Sequence, residues 1–263
     1  MKKLTLAVFL SALLAVPAFA KGAAGFKTRV TSESTGADGI LSVTSSNAFD
    51  TSSNYANTAA WTTGSNGGTG FGAWTLTDGD GGHYIGSTGL GSSTFGLFNT
   101  FSTTTTDAVR PLTGGFLSPG QTFSIDLGFT TFAASGAVGL NFRSGTTESL
   151  TLFTDGANWM LNDGGSPFGI GTATANTPYH FTLTYNGGNS YSFTLTGALP
   201  GNNFTATNNL TGIDNIRYFD FNQGGGANFG FDNMAVVPEP STLALLAGPM
   251  LLGGWFFVRR RRA

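Results

Sequence analysis

The sequence predicts an all-β protein, an antiparallel β-sandwich of the jelly-roll type. Apolar side chains alternate with polar ones along many short segments, which is the periodicity of half-buried strands. The 263 residues include 40 glycines and 24 phenylalanines, but only 10% are charged. Helical bundles and disordered chains both carry more charge. Glycine and asparagine collect between the alternating segments, as they do at turns, so we expect two packed sheets of short strands.

Nine strands are predicted along the chain. The clearest are residues 123–129 and 179–185, in which every second residue is apolar. Asn186, Gly187, Gly188 and Asn189 then predict a hairpin turn, because Asn and Gly tolerate positive φ. The other predicted strands are residues 40–43, 73–77, 138–142, 150–154, 191–195, 214–221 and 229–236. Residues 47–72 are rich in Ser, Thr, Asn and Gly and predict long loops.

The first 20 residues have the three zones of a secretory signal peptide. Lys2 and Lys3 precede an apolar run over residues 4–16, and Ala18-Phe19-Ala20 forms a small-x-small cleavage site. We expect signal peptidase to cut before Lys21, so the mature protein is exported through the inner membrane.

The other end of the chain predicts a transmembrane helix. Residues 241–258 form an uncharged stretch of 18 residues, near the lower limit of about 17 for spanning a bilayer. Arg259, Arg260, Arg261 and Arg262 follow at once, and such a cluster stays on the cytoplasmic side. The domain over residues 21–236 is therefore expected in the periplasm, held transiently at the inner membrane.

Pro238, Glu239 and Pro240 stand just before the apolar stretch. The two prolines favour an extended segment, rather than a helical or sheet-paired one, that a protease can reach. Together with the helix and the arginines, this motif resembles the PEP-CTERM sorting signal of Gram-negative bacteria, over residues 237–263. The resemblance implies processing by an exosortase, release to the cell surface or extracellular matrix, and a role with exopolysaccharide in biofilm. An ordinary single-pass anchor with a proline-rich spacer is the alternative.

Charge and cysteine content exclude several functions for the exported domain. Without the lysines and arginines of the two termini, six basic and 14 acidic residues remain. Such an acidic domain lacks the clustered positive charge that binding to nucleic-acid phosphates requires. The absence of cysteine excludes disulfides, thiolate catalysis and cysteine-bound metals.

Residues 229–236 resemble, in pattern alone, the last strand of a laminin-G or concanavalin-A-like sandwich.

The sequence shows no arrangement of residues typical of a catalytic site, and we expect that the protein is not an enzyme. Outside the sorting motif the only glutamates are Glu33 and Glu148, and neither lies near another acid. The chain has no G-x-S-x-G elbow, and its only histidines are His83 and His180. His180 alternates with apolar residues and is expected on the solvent face of a strand. A divergent polysaccharide hydrolase that uses aspartates remains the least favoured alternative.

Two groups of residues are candidates for binding. Asp78 and Asp80 lie in a glycine-rich segment, residues 78–83, where two carboxylates could hold a structural Ca²⁺ ion. Trp61 and Tyr84 lie in polar surroundings and could form an aromatic platform for a sugar. Turn composition and core packing are the respective alternatives. A second oxygen-rich patch comprises Asp155, Asn158, Asn162 and Asp163.

These observations give one leading function and one main alternative. The leading hypothesis is a non-enzymatic surface or matrix protein that is sorted by exosortase, needs no cofactor and associates with extracellular polysaccharide. The alternative is a lectin-like domain that binds carbohydrate, with or without Ca²⁺.

Overall fold

The structure, a computed structural model, describes residues 48–100, 104–115, 117–133, 136–196, 201–223 and 228–238. Fifteen strands and two three-residue 3-10 helices form within these ranges. The 3-10 helices are Ser52–Asn54 and Thr58–Ala60. The strands, β1 to β15 in order, are Ala48–Asp50, Thr75–Thr77, Gly81–Gly86, Thr94–Asn99, Thr105–Pro111, Gln121–Phe129, Ala137–Ser144, Thr147–Thr154, Asn158–Asn162, Phe168–Thr172, Tyr179–Gly187, Ser190–Leu195, Gly201–Thr205, Asn215–Phe221 and Asn228–Pro238.

Several predictions concern residues outside these ranges. They are the signal peptide over residues 1–20, the strand over residues 40–43, Glu239, Pro240, the apolar stretch 241–258 and the arginines 259–262. Within the described ranges, no helix combines the length and the apolar character that crossing a membrane requires.

The strands form two antiparallel sheets. The first sheet has the order β13-β12-β11-β6-β15-β4-β3, and β1 joins it by pairing with β15. The second sheet has the order β10-β9-β8-β7-β14-β5-β2. The prediction of an all-β antiparallel sandwich is confirmed.

Aromatic side chains join the inner faces of the two sheets. Tyr218 of β14 stacks on Phe231 of β15, with ring centroids 4.1 Å apart and planes 7° from parallel. Phe123 of β6 meets Phe142 of β7 edge to face at 5.2 Å. All four side chains are buried. Burial of one such ring stabilises the fold by about 1.5–3 kcal/mol, so the phenylalanines of the sequence supply much of the core.

The predicted hairpin is confirmed. β11 and β12 pair antiparallel, with Tyr185 opposite Tyr191. Gly187 and Gly188 between them have φ of 100° and 60°, the left-handed conformations that favour glycine. The alternating segments over residues 123–129, 138–142, 150–154 and 229–236 also lie in strands, and the predicted strands over residues 73–77 and 214–221 are covered from Thr75 and from Asn215 onward.

The sequence missed strands that contain glycine. Residues 78–83 were predicted to form a loop, but Gly81–Gly86 is strand β3, which pairs with β4. The ring of Phe98 lies 2.8 Å from the position a Cβ of Gly82 would take, so glycine here makes room for an aromatic neighbour. Strand β1 likewise begins inside the predicted loop over residues 47–72, and β9 covers Asn158 to Asn162 of the second oxygen-rich patch.

A row of three glycines crosses the outer face of the first sheet. Gly230 of β15 lies between Gly96 of β4 and Gly128 of β6. The ring of Tyr84 covers Gly96, and Thr88 covers Gly230, its Oγ1 only 2.0 Å from the position of an added Cβ. The chain after β3 can therefore pack on the sheet backbone.

Pro238 differs in one respect from the sequence prediction. It is the last residue of β15 and lies opposite Gln121, so the first proline of the sorting motif is sheet-paired. A proline can end a strand because no further ladder bond needs its missing N–H. The strand thus runs two residues past Val236, where the predicted domain ends.

Candidate functional site

A cleft opens at the second sheet, and we call it the Arg143 cleft. Its volume is about 610 Å³, within the usual range of about 300–1,000 Å³ for small-molecule sites. It is lined by Thr75, Val109, Pro111, Leu112, Gly115, Arg143, Gly145, Thr146, Asp214 and Asn215.

Strand register brings these residues to one outer surface. Asn215 of β14 lies opposite Pro111 of β5 on one side and Arg143 of β7 on the other. The neighbouring position, Ile216, points into the core, so the alternation of a strand directs Asn215 outward. The turn after β7 uses Gly145 with φ of 59° and completes the rim.

Arg143 is unusual among the cations of the domain. The described ranges contain three arginines and no lysine. Arg110 pairs with Asp50, and Arg217 pairs with Asp107 and Glu148. Within those ranges Arg143 forms no ion pair, and its Nη2 donates to the carbonyl oxygen of Thr146 at 3.1 Å. The half-buried guanidinium therefore lines the cleft without an ion pair within the described ranges, and its charge acts on the nearby Asp107 carboxylate.

Hydrogen bonds hold Asp214 and Asn215 in place. Oδ1 of Asp214 accepts the N–H of Gly145 at 3.0 Å and the amide Nδ2 of Asn215 at 2.6 Å. That Nδ2 also donates to the carbonyl oxygen of Gly145 at 2.8 Å. The Asp214 carboxylate is thus fixed beside Arg143 without forming an ion pair with it.

Two buried atoms of the lining residues lack partners. Nε of Arg143 and Oδ1 of Asn215 have no hydrogen-bond partner in the part of the chain that the structure describes. An unpaired buried donor or acceptor costs about 1–3 kcal/mol, and because both atoms are buried, a ligand reaches them only if these side chains move.

The lining suits a molecule that is both polar and apolar. Arg143 supplies hydrogen-bond donors and Asp214 supplies an acceptor, and bonds to charged groups are the stronger class. Val109, Pro111 and Leu112 add apolar surface. Hydroxyl groups on a carbon ring match this combination, whereas a purely apolar ligand would leave the charges unpaired.

The second cleft opens on the outer face of the first sheet, and we call it the His180 groove. Its volume is about 420 Å³. It is lined by Leu90, Thr94, Asp126, Pro178, Tyr179, His180, Thr196, Asp232 and Asn233.

One carboxylate orients two side chains in the His180 groove. Oδ1 of Asp126 lies 2.7 Å from Nδ1 of His180, and Oδ2 accepts the amide Nδ2 of Asn233 at 2.8 Å. A neutral imidazole that donates from Nδ1 has Nε2 as an acceptor. Asn233, which donates through its amide nitrogen, keeps Oδ1 as an acceptor in the same way.

A β-bulge places Asn233 at this position. The register between β15 and β6 shifts between Asp232 and Ala235, and Asn233 has φ of 53°. Asp232 fixes the bulge, because its Oδ1 accepts the N–H of Ser52 at 2.7 Å and that of Asn233 at 2.9 Å. Bulges re-aim side chains in this way and are common beside functional sites.

Trp61, predicted as part of a sugar platform, is a core residue instead. Its exposed fraction is 0%, and its ring packs edge to face on Trp74 at 5.5 Å and tilted on Phe95 at 4.7 Å. The prediction was wrong because the polar loop around Trp61 folds over the end of the core. The platform therefore cannot include Trp61.

Tyr84 lies on the outer face but not as an open platform. Its ring covers Gly96, and burial raises the pKa of its hydroxyl to about 12. Trp61 is turned inward while Tyr84 lies on the outer face of β3, so the two predicted platform residues do not share a surface.

The carboxylates predicted to bind Ca²⁺ each meet a protein group. Oδ1 of Asp78 lies 2.5 Å from Nδ1 of His83, and Oδ2 of Asp80 accepts the hydroxyl of Thr104 at 2.9 Å. His83 also contacts Trp61. Across the described ranges no three acidic or histidine side chains converge as metal ligands. The Ca²⁺ ion stays a prediction, and loss of thermal stability in EDTA that Ca²⁺ reverses would establish it.

Sequence reasoning missed the residues of both clefts except His180, which it placed correctly on an outer face. The sequence could have marked Arg143 as a candidate, because only six basic residues remain in the exported domain. Nothing in the sequence pairs Arg143 with Asp214, since 70 residues separate them and only strand register brings them together.

Comparison with known proteins gives the fold and no family. No protein-family model and no curated sequence matches the chain. Among solved structures, a sialidase aligns over 64% of this chain and 17% of its own, with 11% identity and a TM-score of 0.51. A carbohydrate esterase of bacteriophage phi24B aligns over 63% and 90%, with 14% identity and a TM-score of 0.47. Galectin LEC-6 of Caenorhabditis elegans aligns over 53% and 94%, with 19% identity and a TM-score of 0.35. The chain spans about a sixth of the sialidase's length. At 11% identity, this likeness indicates a shared fold alone.

Proposed function

We propose that this chain is a non-catalytic surface or matrix protein whose β-sandwich holds extracellular polysaccharide in the Arg143 cleft. The observation that carries the proposal is the pair formed by Arg143 and Asp214, a donor and an acceptor fixed side by side next to an apolar lining. A saccharide hydroxyl donates and accepts, so it can use both groups at once.

Export and sorting form the second part of the proposal. The signal peptide, the Pro238-Glu239-Pro240 motif, the apolar stretch and the arginine cluster support transfer to the cell surface by an exosortase. Polysaccharide is the abundant polymer at that destination. An acidic domain with few cations suits a partner that is recognised by hydroxyl groups rather than by phosphates.

The absence of catalysis rests on the sequence. Apart from Glu239, the chain offers only Glu33 and Glu148 as glutamates, and it has no serine elbow. We therefore propose that the cleft binds its ligand without altering it.

Affinity electrophoresis through gels that contain dextran, galactomannan or alginate tests the binding. The full-length chain, purified in mild detergent, is expected to be retarded by at least one of these polymers. Arg143→Met keeps the length of the side chain and removes its donors, so we expect at least about a tenfold loss of affinity.

Arg217→Met is the matched control for this experiment. It removes the same charge from the same outer face, yet Arg217 pairs with Asp107 and Glu148 and does not line the cleft. Unchanged affinity of Arg217→Met together with at least about tenfold weaker binding by Arg143→Met supports the proposal. Equal losses in both variants, or no retardation of the unaltered chain across a broad glycan array, would overturn it.

A further inference from the structure

The two clefts open on opposite sides of one sandwich. Arg143 and Asn215 lie on the outer face of the second sheet, where the neighbouring Phe142 and Ile216 point into the core. Asp126 and His180 lie on the outer face of the first sheet, opposite each other across the β6–β11 ladder. The inner faces of the sheets pack on each other, so the clefts face away from one another.

The His180 groove has its own hydrogen-bonding set. His180, Asp126 and Asn233 form a hydrogen-bonded array in which Nε2 of His180 and Oδ1 of Asn233 are not used between its members. Leu90 and Pro178 add apolar walls. Like the Arg143 cleft, the groove joins polar groups held by the protein to apolar surface, and this combination suits a hydroxylated ring.

The left-handed backbone at Asn233 positions its side chain in the groove. Its φ is 53°, a conformation that Asn adopts more readily than other non-glycine residues. Here the buried Asp232 enforces it through Ser52, whose N–H and hydroxyl both donate to the Asp232 carboxylate. This conformation lets the Asn233 amide donate to Asp126 in the groove.

We infer that the His180 groove is a second saccharide site, so that one domain binds two polysaccharide chains and cross-links them. This inference rests on the proposed binding at the Arg143 cleft. Packed sheets lie about 10 Å apart, and side chains on both outer faces widen the separation further. A single extended polysaccharide cannot occupy both clefts without wrapping around the sandwich, whereas two chains can.

Turbidity of polysaccharide solutions measures cross-linking directly. The full-length chain in mild detergent is mixed with dextran, galactomannan or alginate, and light scattering is followed as the protein concentration rises. Two sites on one body are expected to give a bell-shaped curve, because excess protein saturates each polymer chain separately.

Three variants separate the two sites. His180→Ala with Asn233→Gly removes the imidazole and the amide from the groove and keeps a residue that tolerates positive φ at position 233. Arg143→Met removes the donors of the cleft. Each single-site protein is expected to bind polymer in affinity electrophoresis with scattering reduced at least about tenfold, and the protein with all three changes is expected to bind none.

The outcomes distinguish the inference from the proposed function. Binding by the unaltered chain without a rise in scattering would overturn the second site and leave the first intact. Scattering that persists in both single-site proteins would show that self-association, not two sites in one domain, causes cross-linking. No binding at all would overturn the proposed function itself. Melting curves check that each variant is folded.

Discussion

Asp50 of β1 and Arg110 of β5 form an ion pair inside the sandwich, with Nη2 of Arg110 2.7 Å from Oδ2 of Asp50. Both side chains have an exposed fraction of 0%. β1 belongs to the first sheet and β5 to the second, so the pair joins the two layers. The hydroxyl of Tyr55 donates to Asp50 at 2.9 Å, and the guanidinium lies 4.8 Å from the ring centroid of Trp74.

Breaking this buried pair is expected to destabilise the protein strongly. Asp50→Asn leaves the Arg110 guanidinium without a counter-charge in the core, and one-sided loss of a buried pair costs about 3–5 kcal/mol. Chemical unfolding of the full-length chain measures the change. Glu148→Gln is the control, because the Glu148–Arg217 pair is about half exposed on the Glu148 side and such pairs contribute about 0–1 kcal/mol. Similar losses in both variants would contradict the prediction.

Asp220 predicts a fall in stability as the pH rises. Its side chain is fully buried opposite Thr106, and burial raises its pKa from 3.8 to about 8. The unfolded chain loses this proton near pH 4, so keeping the folded group protonated costs progressively more free energy from about pH 4 to about pH 8. Asp220→Asn removes this cost, and the variant is expected to gain stability over the unaltered chain as the pH rises through that window.

Asp155 is expected to change the free energy of unfolding with the opposite pH dependence. It therefore serves as a control when the free energy of unfolding is measured against pH. The backbone N–H groups of Asn158 and Ala157 donate to its carboxylate and lower its pKa. Its contribution to stability is therefore present above about pH 4 and lost as the pH falls through the lower folded value. Asp155→Asn is expected to destabilise the protein at neutral pH and to differ less at acidic pH. Parallel pH profiles for the two variants would refute both assignments.

The glycine row predicts a sharp difference between two similar substitutions. In Gly230→Ala the new methyl group meets Thr88, whereas in Gly165→Ala the nearest atom lies 3.6 Å away. Overpacking of this kind costs about 1–3 kcal/mol, so we expect Gly230→Ala to lower the free energy of unfolding and Gly165→Ala to leave it nearly unchanged. Gly230→Ala combined with Thr88→Ala should recover part of the loss. An unchanged stability of Gly230→Ala would show that Thr88 moves aside freely.

The proposed sorting signal predicts the mass of the mature protein. Intact-mass analysis of the extracellular fraction of the native host is expected to show loss of residues 1–20 and of the arginine cluster after Pro238-Glu239-Pro240. Pro238→Ala with Pro240→Ala should reduce C-terminal processing while signal-peptide removal continues. A mature protein that retains Arg259 to Arg262 would indicate a simple membrane anchor instead.

The sequence by itself determined the class of fold and many of its strands. Strict alternation, as in Phe123, Ile125 and Leu127, allows only a strand with one buried face, so such segments were predicted correctly. Strand β3, Gly81–Gly86, was missed because its glycines have no side chain to carry the alternation, whereas β6, β7 and β15 were predicted with one glycine or more because their other residues alternate. The rings of Phe98 and Tyr84 fill the space beside Gly82 and Gly96.

Only the tertiary structure decided which polar residues meet. Trp61 looked exposed because its neighbours in sequence are polar, yet its neighbours in space are aromatic. Strand register brings Arg143 beside Asn215 and Asp126 beside His180, and a β-bulge adds Asn233. Local sequence sets the face on which a side chain lies, through the two-residue period, but the order of strands in a sheet depends on packing over the whole chain.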